Sequence, residues 1–467
     1  MSAAKKEHEK QPDYVVKGGM WPNAWKIAAG VGAVGLVASL AGYTMDAKRF
    51  AFSYLFAFIF FLTIALGSMF FVLIQRLTSA AWSVTVRRTA EFFMSGFPAL
   101  ALLFVPILLV TTHLFPWMTP PAGGEHATAG EHATAGEHAS GAEHAAEGEH
   151  AAPAEHANAE HATTHERMTL DEEYEVVEHH EEAHLLHEKR QFLNVPFFYI
   201  RILLYFGIWI FIALRYFGWS TKQDASKDPQ LTVKAQGFAP VATILAALTL
   251  TFAAFDWMMA LNPYWYSTIF GVWIFAGSIL VAHAMITLVT LSFKKNGYTG
   301  DAINVEHYHD LGKLSFGFTV FWAYIGFSQF FLTWYASIPE ETQFYHHRWG
   351  DGPWKTVSLF ILAAHFIFPF LLMLSRNIKR RPGILAIGVA TLVFMHLVEC
   401  YWIVMPNYIP RAGLHQGDTL SFHWLDITAL LGVGGIYLAW VFRQMTQHKL
   451  IPVGDPRLPR SLAFENA

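Results

Sequence analysis

The sequence predicts an all-α, polytopic integral membrane protein with about ten transmembrane helices. Hydrophobic residues make up 54% of the 467-residue chain, and the mean hydropathy is +0.31 although one long insert is polar. Ten segments are apolar over the roughly 20 residues that a helix needs to cross a bilayer. The net charge is small and the basic residues form no block, which argues against nucleic acid as a partner.

Apolar runs give the predicted helices in chain order. They cover residues 24–43, 50–75, 90–112, 195–218, 238–260, 266–292, 314–337, 356–376, 382–404 and 423–444. The stretch 252–271 organises this set, because Asn262-Pro263 interrupts the apolar sequence and returns the chain across the membrane at once. Asp256 lies about one turn inside the first helix of this hairpin, where an acidic group costs on the order of several kcal/mol unless it is partnered or functional.

The loops carry more Lys and Arg on the N-terminal side, so the positive-inside rule predicts that both termini are cytoplasmic. The predicted layout is a cytoplasmic tail over 1–23, helices over 24–112, a periplasmic insert over 113–194, further helices over 195–444 and a cytoplasmic tail over 445–467. The first residues are charged and have no apolar core before a cleavage site, so no cleaved signal peptide is predicted.

The insert contains the tripeptide EHA seven times, beginning at Glu125 and ending at the copy that starts with Glu160. These repeats contain no apolar side chain larger than Ala or Pro and cannot bury a core, so they are predicted to be disordered. Because histidines are abundant there, loose metal binding or proton buffering remains an alternative to a solvated insert. The acidic stretch 170–190 predicts a helix that docks on a partner.

Ionisable side chains inside the predicted helices are the candidates for function, because such groups often form proton relays. Helical rise places several of them near the non-cytoplasmic face, two histidines near the middle and the others toward the cytoplasm. The predicted proton-pathway residues are Asp256, His283, His365, His396, Glu399 and Glu91, with Arg201 and Asp426 in support. Three alternatives remain open: an Arg201–Asp256 packing pair, side chains reaching to the membrane surface, and histidines that are simply hydrogen-bonded in the core.

Resident redox centres are not predicted for this chain. Cys400 is the only cysteine, so the chain alone can build neither a disulfide nor a zinc-thiolate site nor an iron–sulfur cluster. A bis-histidine haem is disfavoured, because only His365 and His396 lie at comparable depth and no helix repeats the ligand. The phosphate-binding pattern GxxxxGK[ST] is missing from the sequence, which disfavours nucleotide-driven transport. We therefore predict no catalytic residue and no metal ligand.

One family is suggested by three stretches of the sequence, Phe50–Arg88, Phe255–Trp273 and Phe321–Thr342. These stretches closely resemble the F subunit of bacterial alternative complex III, and the likeness covers nearly the whole chain outside the EHA insert. It includes the polar residues Asp256, Gln329, Glu340 and Glu341. Through this family the chain is distantly similar to the NrfD and PsrC quinone-binding membrane subunits.

The resemblance implies two four-helix bundles, helices two to five and six to nine, with two peripheral helices. It also implies a subunit of a quinol:cytochrome c, or high-potential iron–sulfur protein, oxidoreductase in the bacterial cytoplasmic membrane. Its partners would be an NrfD-like membrane subunit, an iron–sulfur subunit and multihaem cytochrome c subunits, which would carry the haems and clusters. Three roles stay open for this chain: a proton pathway, a scaffold for redox partners, or a site for menaquinone or another quinone.

Overall fold

In the computed structural model, residues 13–119, 184–350, 352–411 and 414–466 are described. Ten helices in this part of the chain are long and apolar enough to cross a membrane, and it contains no strand. In chain order, α1 to α10 are Trp21–Tyr43, Ala47–Leu77, Val84–Leu109, Val195–Ser226, Gln230–Leu261, Phe270–Lys295, Val305–Ala336, Trp354–Leu374, Pro382–Asn407 and Trp424–Gln447. The predicted all-α, ten-helix membrane fold is confirmed.

Several helices begin earlier than their apolar runs, because polar residues in the first turns find partners. Helix α7 begins at Val305, nine residues before the apolar run, after Asn304 caps it. The Asn304 side chain accepts hydrogen bonds from the backbone N–H groups of Glu306 and His307, two donors that a helix leaves without internal partners. The Arg380 side chain then pairs with Glu306 and holds its carboxylate at this end of α7.

The helices form two four-helix bundles. In the first, α2, α3, α4 and α5 pack in a ring, each against the next, and α5 returns to α2. In the second, α6, α7, α8 and α9 pack in the same order, and α9 returns to α6. The bundles meet along α2 and α6, and 94% of the most apolar part of α2 is buried. Helix α2 is therefore the central element of the protein, and the two bundles agree with the predicted division.

Helices α1 and α10 form an outer pair that packs on α2. Small residues let the two backbones approach each other: a Cβ atom on Gly35 of α1 would lie 2.5 Å from the backbone nitrogen of Gly432 in α10. Association of helices in lipid depends on this kind of close packing, because hydrocarbon provides no hydrophobic driving force.

The loops on each side of the helices are joined by hydrogen bonds. On the side of the termini, the Tyr298 hydroxyl donates to the Gly18 carbonyl and the Leu450 N–H donates to the Tyr14 carbonyl. On the other side, the Asn262 amide donates to Gln343 and Gln416, so the loops after α5, α7 and α9 meet. The short helix Pro339–Trp349 lies in the loop after α7.

Residues 119–190 form a separate unit, of which only 119 and 184–190 are described. Residues 184–189 are helical. The EHA repeats, most of the acidic stretch 170–190 and the first twelve residues of the N-terminal tail lie outside the described residues, so their predicted disorder, docking and metal-binding roles remain predictions.

Candidate functional site: a buried histidine–carboxylate cluster

Four helices bring five polar side chains together near the middle of the membrane-spanning region. Glu399 and His396 come from α9, and His365 comes from α8. Trp322 of α7 and Thr63 of α2 complete the set, which we call the central cluster. All five side chains are buried. The central cluster lies in the second bundle, against the central helix of the protein.

The Glu399 carboxylate is the centre of this arrangement. Its Oε1 accepts a hydrogen bond from the Trp322 indole nitrogen at 2.6 Å, and its Oε2 accepts one from His396 Nδ1 at 2.9 Å. His365 Nδ1 lies 3.9 Å from the same Oε2. His396 and Glu399 are three positions apart, so both lie on one face of α9, as residues at this spacing do in any helix. One carboxylate therefore lies between two imidazoles.

The surroundings of His396 satisfy this imidazole in either protonation state. Its Nε2 lies 2.9 Å from the Thr63 hydroxyl, which in turn lies 2.8 Å from the Phe60 carbonyl oxygen. When His396 is neutral, Thr63 donates its hydrogen to Nε2. When His396 is protonated, Nε2–H donates to the hydroxyl oxygen and Thr63 donates to the carbonyl. A rotation of one hydroxyl hydrogen is enough to change between the two states.

His365 occupies an irregular turn. Residues Leu362–Ile367 form a π-helix within α8, a feature that is found mostly as a single turn and often at functional sites. The His365 ring packs on Trp322 with a centroid distance of 4.2 Å, and neither of its nitrogens has a hydrogen-bond partner among the described residues. A shift of about 1 Å would bring His365 Nδ1 into hydrogen-bond range of Glu399.

Helix α6 lies directly behind the cluster at Gly277. A Cβ atom at this position would lie 2.9 Å from Cε1 of His396 and 3.3 Å from Oε2 of Glu399. A larger residue would therefore displace the imidazole or the carboxylate. Glycine at position 277 lets α6 seal the cluster without changing its hydrogen bonds.

The structure places Asp256 in a closed ion pair, which is one of the alternatives that the sequence left open. Arg201 Nε and Nη2 donate to the two carboxylate oxygens at 2.8 and 2.6 Å, and the Tyr205 hydroxyl donates at 2.7 Å. The guanidinium also lies over the rings of Phe192 and Phe197. This pair joins α4 to α5 and uses both oxygens of Asp256.

Asp426 is held in a similar way at the start of α10. Its carboxylate accepts from Arg49 at 2.5 Å and from the Ser53 hydroxyl at 2.6 Å. It also accepts from the backbone N–H of His423, which caps the helix. Asp426 thus ties α10 to the first turns of α2.

Glu91 belongs to an ionic network on the side of the termini. Arg87 lies 3.2 Å and Arg88 2.9 Å from its carboxylate, and Arg87 also donates to Asp455 of the C-terminal segment at 2.6 Å. Burial opposes ionisation of Asp455, but Arg87 and Arg76 outweigh it and hold the pKa of this carboxyl below its usual value. The network fixes the C-terminal segment against α3.

His283 lies apart from the central cluster. Its Nδ1 is 2.7 Å from the Ile279 carbonyl of the preceding turn and donates to it, and its ring packs between Phe71 and Phe318. The structure therefore brings together His365, His396 and Glu399 of the predicted pathway residues, and leaves Asp256, Asp426, Glu91 and His283 in separate contacts.

Sequence reasoning missed Trp322 and Thr63. Both lie in apolar runs, and their partners are 77 and 333 residues away along the chain. The only available signal was local, the three-residue spacing of His396 and Glu399. Arg49, Arg76, Arg87 and Asp455 were also missed as partners, because they flank the apolar runs and looked like ordinary surface charges.

Among the described residues, no group of three or more His, Cys, Asp or Glu side chains is arranged to hold a metal ion. No family model and no curated protein matches the chain.

Proposed function

We propose that this chain is an integral membrane subunit of a quinol oxidoreductase of the alternative complex III type, and that it provides part of a transmembrane proton pathway. The observation that carries the proton role is the central cluster, in which Glu399 lies between two histidines and His396 is satisfied whether neutral or protonated. A group that accepts and releases a proton without rearranging its neighbours is what a relay needs.

Helix α2 supplies the line of such a pathway. Its Ser53 contacts Asp426, and its Arg76 contacts Glu91. Between them, its Thr63 contacts His396 within the central cluster. At the helical rise, these three positions are about 15 and about 20 Å apart. The distances exceed single hydrogen bonds, so a proton would cross them along ordered water, which polar cavities can hold.

A scaffold role is the second candidate, and a specific observation favours it. Asp256 and Asp426 are each fully engaged by an arginine and a hydroxyl group, as expected of packing pairs between helices. In the scaffold hypothesis the central cluster is a third packing element. The proton hypothesis differs from it by assigning transfer to Glu399, His396 and His365, and a structural role to the Arg201–Asp256 pair.

We propose further that both termini face the cytoplasm, that the insert faces the periplasm, and that the protein lies in a bacterial cytoplasmic membrane. The partner subunits are an NrfD-like membrane protein, an iron–sulfur protein and multihaem cytochromes c, which carry the haems and clusters.

Affinity purification through an N-terminal tag tests the assembly. We expect haem- and iron–sulfur-containing subunits to copurify in a fixed ratio, and the chain stripped of these partners to show no Soret absorption, since it offers no suitable ligand set. Recovery of the chain without redox subunits under mild detergent conditions would contradict the proposed complex.

A further inference from the structure

The outer face of the α4–α5 hairpin carries three cations at the edge of the membrane, on the side of the termini. Arg215 and Lys222 are seven positions apart in α4, so they lie on one face of this helix, about 10 Å apart along its axis. Lys234 is the fifth residue of α5. All three side chains are exposed, and none forms a salt bridge with an acidic side chain among the described residues. Asp224, two residues after Lys222, is paired with Arg88.

A glycine leaves a recess between the two cations of α4. Gly218 follows Arg215 by three positions and precedes Lys222 by four, so it lies on the same helix face as both. A Cβ atom on Gly218 would have no described atom within 4 Å. The backbone of α4 is therefore open to an approaching group at the point between the two positive charges.

Aromatic rings hold the Arg215 side chain at the rim of this recess. The guanidinium lies 5.6 Å from the ring centroid of Phe211 and 5.5 Å from that of Trp219, one turn of α4 on either side. Phe238 of α5 packs edge-on against both rings, at 6.0 and 6.1 Å. An arginine that only reached for water would extend past Trp219 toward the membrane surface. The guanidinium instead stays at the level of the last apolar turn of α4.

The same face of α4 continues toward the middle of the membrane as an apolar surface. Ile200, Leu204 and Phe211 follow one another at helical spacing and are 60%, 54% and 50% exposed. They lie in a helix that is apolar enough to cross the membrane, so lipid can contact them. Trp219 ends the apolar stretch with a ring of the type that is enriched at the membrane–water interface. This face thus combines an apolar stripe with a cationic recess at one end.

We propose that this face binds one anionic phospholipid in the leaflet on the side of the termini. The phosphate lies over Gly218 and accepts hydrogen bonds from the guanidinium of Arg215 and the ammonium of Lys222, as phosphates do from paired cations. Lys234 is one turn before Phe238 on the face of α5 that packs against Trp219, and it adds a third positive charge. The acyl chains pack along the apolar stripe of α4. Basic recesses between transmembrane helices are typical sites for anionic lipid head groups.

Charge selects this lipid class over two others. A zwitterionic phospholipid brings a quaternary ammonium toward three cations, which repel it, whereas phosphatidylglycerol brings an uncharged head group on its phosphate. Free inorganic phosphate has no apolar part that can pack along α4. The inference goes beyond the proposed function and does not require it, because no residue of the central cluster takes part in the binding.

Native mass spectrometry of the full-length chain in detergent micelles, titrated with palmitoyl-oleoyl phosphatidylglycerol, tests the inference. Arg215→Gln and Lys222→Gln should each weaken binding about fivefold, the factor expected for the loss of one cation at an anionic lipid surface. Lys295→Gln removes an exposed cation from the last residue of α6 and is the charge-matched control, which should bind like wild type.

A second pair of variants tests the recess itself. Gly218→Leu keeps every charge but fills the space for the phosphate, and it should weaken binding at least fivefold, the loss assigned to one cation. Gly317→Leu is its matched control, because Gly317 also has open space near the same edge of the membrane, and the neighbouring Lys313 is already paired with Asp310. We expect this control to bind like wild type.

Three results would overturn the assignment. Equal weakening by Arg215→Gln and Lys295→Gln, or equal binding by Gly218→Leu and Gly317→Leu, would mean diffuse attraction to the whole charged surface. Displacement of phosphatidylglycerol by an equal concentration of inorganic phosphate would show a site for a free anion. Equal binding of palmitoyl-oleoyl phosphatidylcholine by the wild-type protein would remove the selection by charge, and would leave the three cations to an acidic segment of a partner subunit.

Discussion

Breaking the Arg201–Asp256 pair should destabilise the protein strongly, whereas removing both charges should not. In Asp256→Asn, the Arg201 guanidinium remains buried without its counter-ion, and three charge-assisted hydrogen bonds weaken. Loss of one partner of a buried pair costs about 3–5 kcal/mol. The Phe192 and Phe197 rings still contact the guanidinium, so we expect a value near the lower limit, about 3 kcal/mol.

The double variant Arg201→Met/Asp256→Leu separates this charge effect from a general loss of packing. It leaves no unpaired charge, and the main residual defect is the Tyr205 hydroxyl without its acceptor, which costs about 1–3 kcal/mol. We therefore expect the double variant to be more stable than Asp256→Asn. The exposed Asp301→Asn change is the control and should stay within about 0.5 kcal/mol of wild type.

Unfolding in mixed micelles with increasing dodecyl sulfate, followed by tryptophan fluorescence, measures these differences. The reasoning would be refuted if Asp256→Asn were as stable as wild type, or if the double variant were no better than the single one. Either result would mean that the pair does not staple α4 to α5, and would return Asp256 to the list of pathway candidates.

Two further predictions concern the outer helices and the C-terminal segment. Gly35→Leu should separate α1 from α10 and destabilise the protein by about 3 kcal/mol in the same assay, because its side chain meets backbone, whereas Gly30→Leu faces open space and should be neutral. Arg87 and Arg76 lower the pKa of Asp455. The free energy that this ion pairing contributes to docking of the C-terminal segment on α3 is therefore fully present above the ordinary aspartate pKa, and it is lost as the pH falls through the lowered pKa of Asp455. Asp455→Asn should expose the C-terminal segment to protease already at pH 7, whereas the wild-type segment should become sensitive only in acid; equal cleavage at pH 7 would contradict this.

The membrane fold could be predicted because a bilayer imposes the same rule on every helix: about 20 apolar residues in succession. The predicted runs and the observed helices agree best where a run begins at proline, as at Pro382, the first residue of α9. They differ most at α5 and α7, which begin eight and nine residues before their apolar runs, and α3 begins six residues before its run. An apolar run ends at a charged residue, but the helix continues through that residue when its charge is paired, as the charges of Arg87 and Glu306 are.

The site was harder to predict because it depends on distant pairs. The depth of each residue in the membrane, counted along its helix, placed His365, His396 and Glu399 in neighbouring layers. In the structure, both histidines lie next to the Glu399 carboxylate. Depth also placed Asp256 near Glu399, yet Asp256 faces Arg201 in the first bundle and Glu399 faces Trp322 in the second. Rotation of each helix about its axis decides such partners, and a nearly uniform apolar sequence carries little information about that rotation.

Proton translocation per electron is the measurement that tests the proposed pathway most directly. The complex purified through this chain is reconstituted into liposomes, and external pH is recorded during quinol oxidation. Glu399→Gln keeps the side-chain shape and the acceptor for Trp322 but cannot exchange a proton. Glu306→Gln makes the same chemical change at the partly exposed start of α7 and serves as the control.

We expect Glu399→Gln to retain electron flux within about twofold, because the proposed redox centres lie on other subunits, and to move fewer protons per electron than Glu306→Gln or wild type. An unchanged proton yield in Glu399→Gln, with normal electron flux, would contradict the proton pathway and leave the central cluster with a structural role.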